Sequence, residues 1–459
     1  MKSGGEAQKF TSSLSGVSNP RWRPDGKAIL FGSAVYPGCY ADSLQKKAAE
    51  EKKNQKYKAR VYDGFPIRDW DHWRDEKQSH LFVQHIDSTK AKNIFAVSKM
   101  PDSPGFSLGG ANWAGNDDIV FTATIDANTA AYQYTTSKLH LLNVSTGSVK
   151  MIETGFTDVS NAQVTEDGKY LFCLASNNDY SVYQLSKLIR YNWPGVTNPV
   201  VFSATLDRPI NQYVLDGSQL WASVEDSGRD FIYRWSVNDA QPVKWDKAPK
   251  GCLTQLSVKK GVVVASHESA VAPPELVTFT ADGKPEFLTT FNTEKLSKLD
   301  LNDVETFWTK TSRGKSIRSM LVRPSNFDPN KKYPLFVLMH GGPSISYKEA
   351  FSYRWNYHVL AGAEYVLVLT DYTGSTGYGE KFSKDIQYDP FKGPATEIQE
   401  AAADAIKRFS FIDGSKQAAG GASYGGHLTN WLQGTTSHYK CLISHAGAVN
   451  FISQWGTSD

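Results

Sequence analysis

At 459 residues the chain has room for about two to four domains, and 40% hydrophobic with 21% charged residues is an ordinary globular composition that supplies two large cores. Its 50 basic and 47 acidic residues leave a formal net charge of +3, which gives no reason to expect a nucleic acid or other polyanion as a partner. No run approaches the ~18 apolar residues of a membrane span. The start, MKSGGEAQKF, lacks an apolar h-region, so no signal peptide is expected there. Cys39, Cys173, Cys252 and Cys441 are far apart and form no C-x-x-C pair; neither a metal nor a cofactor is expected, and the redox compartment stays open.

Residues 1 to 295 lack long helical periodicity but are rich in the aromatics that suit strands. An apolar strand, a turn and a second apolar strand recur as NPRWRPDGKAILFGS, ANWAGNDDIVFTA, AQVTEDGKYLFCLAS, QYVLDGSQLWASVED and LSVKKGVVVASHES. Each is followed by another strand pair, for example LHLLNVSTGSVKMIE. The later copies recur every ~45–50 residues, the period of a propeller blade. A lone four-stranded blade cannot bury both faces, and stacking neighbours covers them. The expectation is an incomplete β-propeller of about five blades, at 17–95, 108–153, 159–203, 209–246 and 251–292. Five ordered copies favour it over an irregular β-sandwich.

The first blade carries an insertion. LQKKAAEEKKNQKYKAR is expected to be a solvated helix. In VYDGFPIRDWDHWRDEKQSH, Tyr62, Phe65, Trp70 and Trp73 stand among Asp63, Asp69, Asp71 and Asp75. That mixture suits a pocket for a peptide amine, but packing of the insertion against its own blade is the favoured reading.

From 296 to 459 the texture changes. YPLFVLMH and EYVLVLT are continuous apolar runs, expected as strands buried on both faces. Residues 395–409 have helical spacing, with Ile398, Ala402, Ala405, Ile406 and Phe409 on one side. KQAAGGAS, HLTNWLQG and CLISHAGAV then read as strand, helix and buried strand, an alternation that implies a parallel sheet.

Gly421-Ala422-Ser423-Tyr424-Gly425 matches G-x-S-x-G between strand and helix, the setting of a nucleophile elbow. Ser423 is the candidate nucleophile. HGGP, from His340, follows a buried strand and is placed to give one oxyanion N–H from Gly342, with Tyr424 giving the other. DYTGSTGYGEKF has the glycine spacing of a P-loop, but Glu380 stands where the lysine must be, so it reads as a structural loop beside the site.

Together HGGP, DYTGSTGYG and GASYGG behind a propeller resemble the prolyl oligopeptidase family of serine peptidases, in its acylaminoacyl-peptidase and dipeptidyl-peptidase 5 branch. IRDWDHW is similar to that branch's blade insertion. The resemblance implies an α/β-hydrolase domain at 296–459, incomplete toward its C-terminal part, with peptide substrates, acylation of Ser423 and a propeller that excludes folded proteins. Thr373 departs from the arginine or histidine of many such proteins. Compartment stays open: periplasmic or secreted in a dipeptidyl-peptidase 5-like protein, otherwise cytoplasmic. A carboxylesterase and a catalytically dead binding module are the alternatives.

In this fold the acid and then the histidine follow the serine. His340 and His358 precede Ser423, His427 lies on the next helix, and His438 and His445 lie at or before the next strand. None is in the position of the base, so the triad Asp and His are expected outside this chain. SGGEAQKFTSSLSG reads as the last strand of a preceding blade. The expectation is an internal fragment of a longer peptidase, almost inactive alone.

Overall fold

The computed structural model describes residues 6, 9–62, 64–245, 247, 249–280 and 283–457. Asp63 of the insertion lies outside the described residues, as do residues 3–5, 7 and 8 of the expected leading strand. The described part of that segment, 9–16, forms no strand. Gly16 closes a turn at φ +78° instead. The Ser33 hydroxyl there donates to the Gly16 carbonyl at 2.8 Å.

Two compact units divide the chain, Met1–Asn178 with Lys187–Phe202 and Asp179–Ser186 with Ser203–Ser458. The first unit holds three antiparallel four-stranded meanders. They are Ser18–Trp22, Ala28–Val35, Gln78–His85 and Lys92–Asn93; Ser107–Ala114, Asp118–Thr124, Ser137–Asn143 and Val149–Ile152; Asp158–Val164, Tyr170–Ser176, Lys187–Asn192 and Thr197–Val201. Glycines at positive φ, Gly26 and Gly168, close the Asp-Gly turns. Consecutive meanders share a core. Leu30, Leu81 and Phe95 pack with Trp113, Ile119 and Phe121, and Val120 and Leu139 pack with Val159, Leu171 and Ile189.

The insertion follows expectation only in part. Its helix spans Asp42–Lys53 and stops short of Arg60. Only Gln45 of this helix is buried. The aromatic stretch does not pack into a core: Phe65, Trp70 and Trp73 are 58%, 78% and 56% exposed. The reason is local. Two-residue strands, Arg68–Asp69 and His72–Trp73, make a hairpin too small to enclose rings; Tyr62 stacks on Trp73 at 6.4 Å.

The second unit begins with two more meanders, Ile210–Asp216, Gln219–Asp226, Arg229–Ser236 and Asp239–Trp245, then Cys252–Lys259, Val262–Ser269, Ala272–Phe279 and Pro285–Phe287. Trp221, Ile232, Leu253, Val263 and Val277 fill the core between them. A six-stranded sheet follows in the order Glu305–Lys310, Ser316–Val322, Val366–Asp371, Tyr333–Met339, Ile412–Ala422 and Cys441–His445.

This sheet is mixed rather than wholly parallel. Its first two strands run antiparallel through a short hairpin, which strand–helix alternation does not reveal. The central strands are parallel; all of Val366–Asp371 is buried, as are Leu335 and residues 337–339 of Tyr333–Met339 and residues 419–421 of Ile412–Ala422. Helix Lys392–Arg408 lays Ala395, Ile398, Ala402 and Ala405 against Val337, Val366 and Ala419. The expected buried strand CLISH is instead exposed. It pairs with Ile412–Ala422 alone, at the sheet edge.

Candidate active site

Met339 pairs in register with Gly421 on the neighbouring parallel strand. The loop after the first strand and the turn after the second therefore meet at the same end of the sheet. Ser423 sits in that turn, at the N-cap of helix Tyr424–Thr435, with φ 55° and ψ −119°. Such a conformation costs a non-glycine residue about 1–3 kcal/mol and persists only where its surroundings over-determine it. Here they do. The Ser423 N–H donates to the His445 carbonyl at 2.9 Å, and its carbonyl accepts the His427 N–H at 2.9 Å.

The glycines on either side are required by contact. A Cβ at Gly421 would lie 2.5 Å from the Met339 carbonyl oxygen, and one at Gly425 would lie 2.2 Å from the same atom. Gly426 would meet the His445 carbonyl oxygen at 2.7 Å. These are backbone atoms that no rotamer change can move. Gly425→Ala is expected to destabilise the second unit by about 2–3 kcal/mol through overpacking. Gly434, on the same helix with open space around it, is the control. Gly434→Ala should add up to about 1 kcal/mol from helix propensity. Urea unfolding of both variants checks the contrast.

The sequence-predicted oxyanion elements come together with Ser423. A Cβ built on Gly341 would be 3.4 Å from the Ser423 Cβ, so the HGGP loop lies against the serine. Gly342 has φ +110°, a region closed to other residues. Tyr424 is the first residue of its helix, so its N–H has no carbonyl one turn back to bind. Its phenol donates to the Pro390 carbonyl, and its ring lies 6.1 Å from that of Tyr372. Both contacts hold this residue still.

His340 is not placed as a base. Its Nε2 is paired with the Ser375 hydroxyl at 2.9 Å, and its ring stacks on Tyr372 at 4.3 Å. Burial lowers its pKa against the opposing pull of Asp371, so it is neutral near pH 7. His358 binds the Asn302 carbonyl at 2.8 Å. His427 is held by the Ala448 carbonyl, between Phe391 at 4.4 Å and Phe451 at 4.7 Å. Among the described residues no histidine ring is hydrogen-bonded to the Ser423 hydroxyl.

The DYTGSTGYG segment is a buried structural loop. Thr373 gives its N–H and hydroxyl to Glu397, each at 2.7 Å, and accepts Lys315 at 2.9 Å. Sequence reasoning passed over Asp371 at the head of this loop. Its carboxylate accepts the Tyr347 N–H at 2.7 Å and pairs with buried Arg318 at 3.2 Å. Ser346 and Tyr347, just beyond HGGP, are thus tied down from two sides.

Residues 351–459 match the prolyl oligopeptidase family. Over 423 residues the chain is 27% identical to a dipeptidyl-peptidase 5 of Schizosaccharomyces pombe, covering 86% of this chain and 60% of that protein. It is 28% identical over 505 residues to the dipeptidyl-peptidase 5 of Trichophyton tonsurans, covering 100% of this chain and 67% of the other. The match to the prolyl oligopeptidase family thus lies in residues 351–459, and the likeness to these dipeptidyl-peptidase 5 proteins runs along most of the chain. The fold agrees: Pyrococcus horikoshii acylaminoacyl peptidase superposes with a TM-score of 0.77 at 17% identity, over 98% of this chain and 66% of that one. The family's architecture, a β-propeller with an α/β-hydrolase domain, accounts for the meanders and for the six-stranded sheet. The chain spans 60% to 67% of the length of these two curated family members.

Proposed function

We propose that this protein is a serine peptidase that hydrolyses short peptides through an acyl-enzyme on Ser423. The observation that carries the reading is the strained serine, at φ 55°, walled by glycines that leave room only for backbone. Ser423 Oγ attacks the scissile carbonyl. The N–H groups of Gly342 and Tyr424 receive the oxygen as it gains charge, where fixed donors are worth most. The amine leaves, and water hydrolyses the ester. The products are N-terminal dipeptides or acylated residues, as the relatives' names indicate for those proteins.

We place the propeller at 1–295, with each meander a blade, and the hydrolase domain at 296–459. The propeller admits short peptides and excludes folded proteins. The acid and base of the triad lie outside residues 1–459. In support, none of the histidines in the second unit binds the serine hydroxyl among the described residues, and the relatives are longer.

The test compares the product of the complete reading frame with residues 1–459 alone. The complete product is expected to cleave Ala-X or Gly-X dipeptidyl reporters, and the shorter chain to show no turnover above background. Turnover of acyl esters alone would make the protein an esterase instead.

A further inference from the structure

We propose that Glu225, on strand Gln219–Asp226 of the fourth meander, is a positioning residue for the HGGP loop. This inference rests on the peptidase reading above. Glu225 is 6% exposed. Its Oε1 accepts the Ser346 hydroxyl at 2.9 Å and the Thr376 hydroxyl at 2.5 Å, and its Oε2 pairs with Lys348 at 3.1 Å. One buried carboxylate thus collects two hydroxyls and an ammonium from two loops.

Those loops are the ones that form the site. Ser346 is four residues beyond Gly342, and Thr376 lies in the loop whose Ser375 holds His340. The Thr376 N–H also donates to the Ile345 carbonyl at 3.2 Å, so the loops are joined to each other. The Ser227 N–H, two residues past Glu225, donates to the Gly377 carbonyl at 3.1 Å. The segment carrying Gly342 is therefore fixed at one end by strand Tyr333–Met339 and at the other by Glu225. Without that carboxylate, Ser346 and Thr376 lose a buried acceptor and Lys348 keeps Asp230 alone among its carboxylates. The loop is then free to shift, and a displacement of about 1 Å in a reacting geometry can cost on the order of 10²-fold in rate.

The experiment uses the enzyme from the complete reading frame. It measures the second-order rate of phosphonylation by an alkyl fluorophosphonate, whose P=O occupies the oxyanion position. It also measures kcat and KM on a dipeptidyl reporter. Glu225→Ala is expected to slow both phosphonylation and kcat about 10- to 100-fold with KM within a factor of about two. Glu225→Gln keeps an amide oxygen for the two hydroxyls and should recover most of the rate. Asp230→Asn is the stability control. It weakens the same buried lysine pairing but touches neither loop hydroxyl, so its rate should stay near that of the unaltered enzyme. If Glu225→Ala does not fold, Ser346→Ala with Thr376→Val removes the same two contacts from the other side and should show the same loss. Unchanged phosphonylation in folded Glu225→Ala, or in that double variant, overturns the proposal. Failure of the unaltered enzyme to label at Ser423 would sink the peptidase reading itself, a separate outcome.

Discussion

Replacing Ser423 by alanine is expected to lower kcat/KM on a dipeptidyl reporter by at least about 10³-fold in the complete enzyme, with its unfolding midpoint almost unchanged. Alanine cannot form the acyl bond. The unchanged midpoint follows from the geometry. Ser423 Oγ holds no hydrogen bond among the described residues, so its removal leaves no buried partner unsatisfied. Alanine also inherits the strain of φ 55°. Glycine does not. Ser423→Gly should be equally inactive yet more stable, by about 1 kcal/mol or more, because the strained conformation is free to glycine. Steady-state kinetics with urea unfolding of the three proteins separates chemistry from strain.

The largest effect on stability is expected from Asp371→Ala. Arg318 is 2% exposed and Asp371 is fully buried. Removing one partner of a buried pair leaves the other charge without compensation, at a cost of about 3–5 kcal/mol. The same change orphans the Tyr347 N–H and the Tyr378 hydroxyl, both of which donate to Asp371. Glu349, 3.2 Å from the Arg318 guanidinium, offsets part of the loss. Asp371→Asn keeps an acceptor for Tyr347 and should cost less. Arg318→Met with Asp371→Leu removes both charges and should be less destabilised than Asp371→Ala alone. Urea midpoints at constant m check the order. Since Tyr347 belongs to the loop that begins with HGGP, activity should fall along with stability.

The parts of the site that are legible in the sequence are the parts built by local constraint. G-x-S-x-G is readable because its glycines answer backbone atoms 2.2 to 2.5 Å from a would-be Cβ, and nothing but glycine fits. The repeats are readable for a similar reason: strand, turn and strand are each short-range. Glu225 gave no signal, because its partner Ser346 is 121 positions away and its own strand pattern is ordinary. CLISH reads as a buried strand because an apolar run reports the residue types and not the neighbours, and within residues 1–459 it pairs with Ile412–Ala422 alone. Trp70 and Trp73 misled in the same direction, since large rings are core material only where enough chain surrounds them. The two antiparallel strands before the parallel set were missed because a tight hairpin, unlike a crossover helix, leaves little trace between them.

The central claim is that Ser423 is the residue that becomes acylated. The most direct measurement is peptide mapping of the complete protein after reaction with an alkyl fluorophosphonate. The account predicts one stoichiometric adduct, on Ser423 in the tryptic peptide 417–440, and loss of reporter hydrolysis in proportion to it. An adduct on a different residue, or continued hydrolysis by protein fully modified at Ser423, would contradict it.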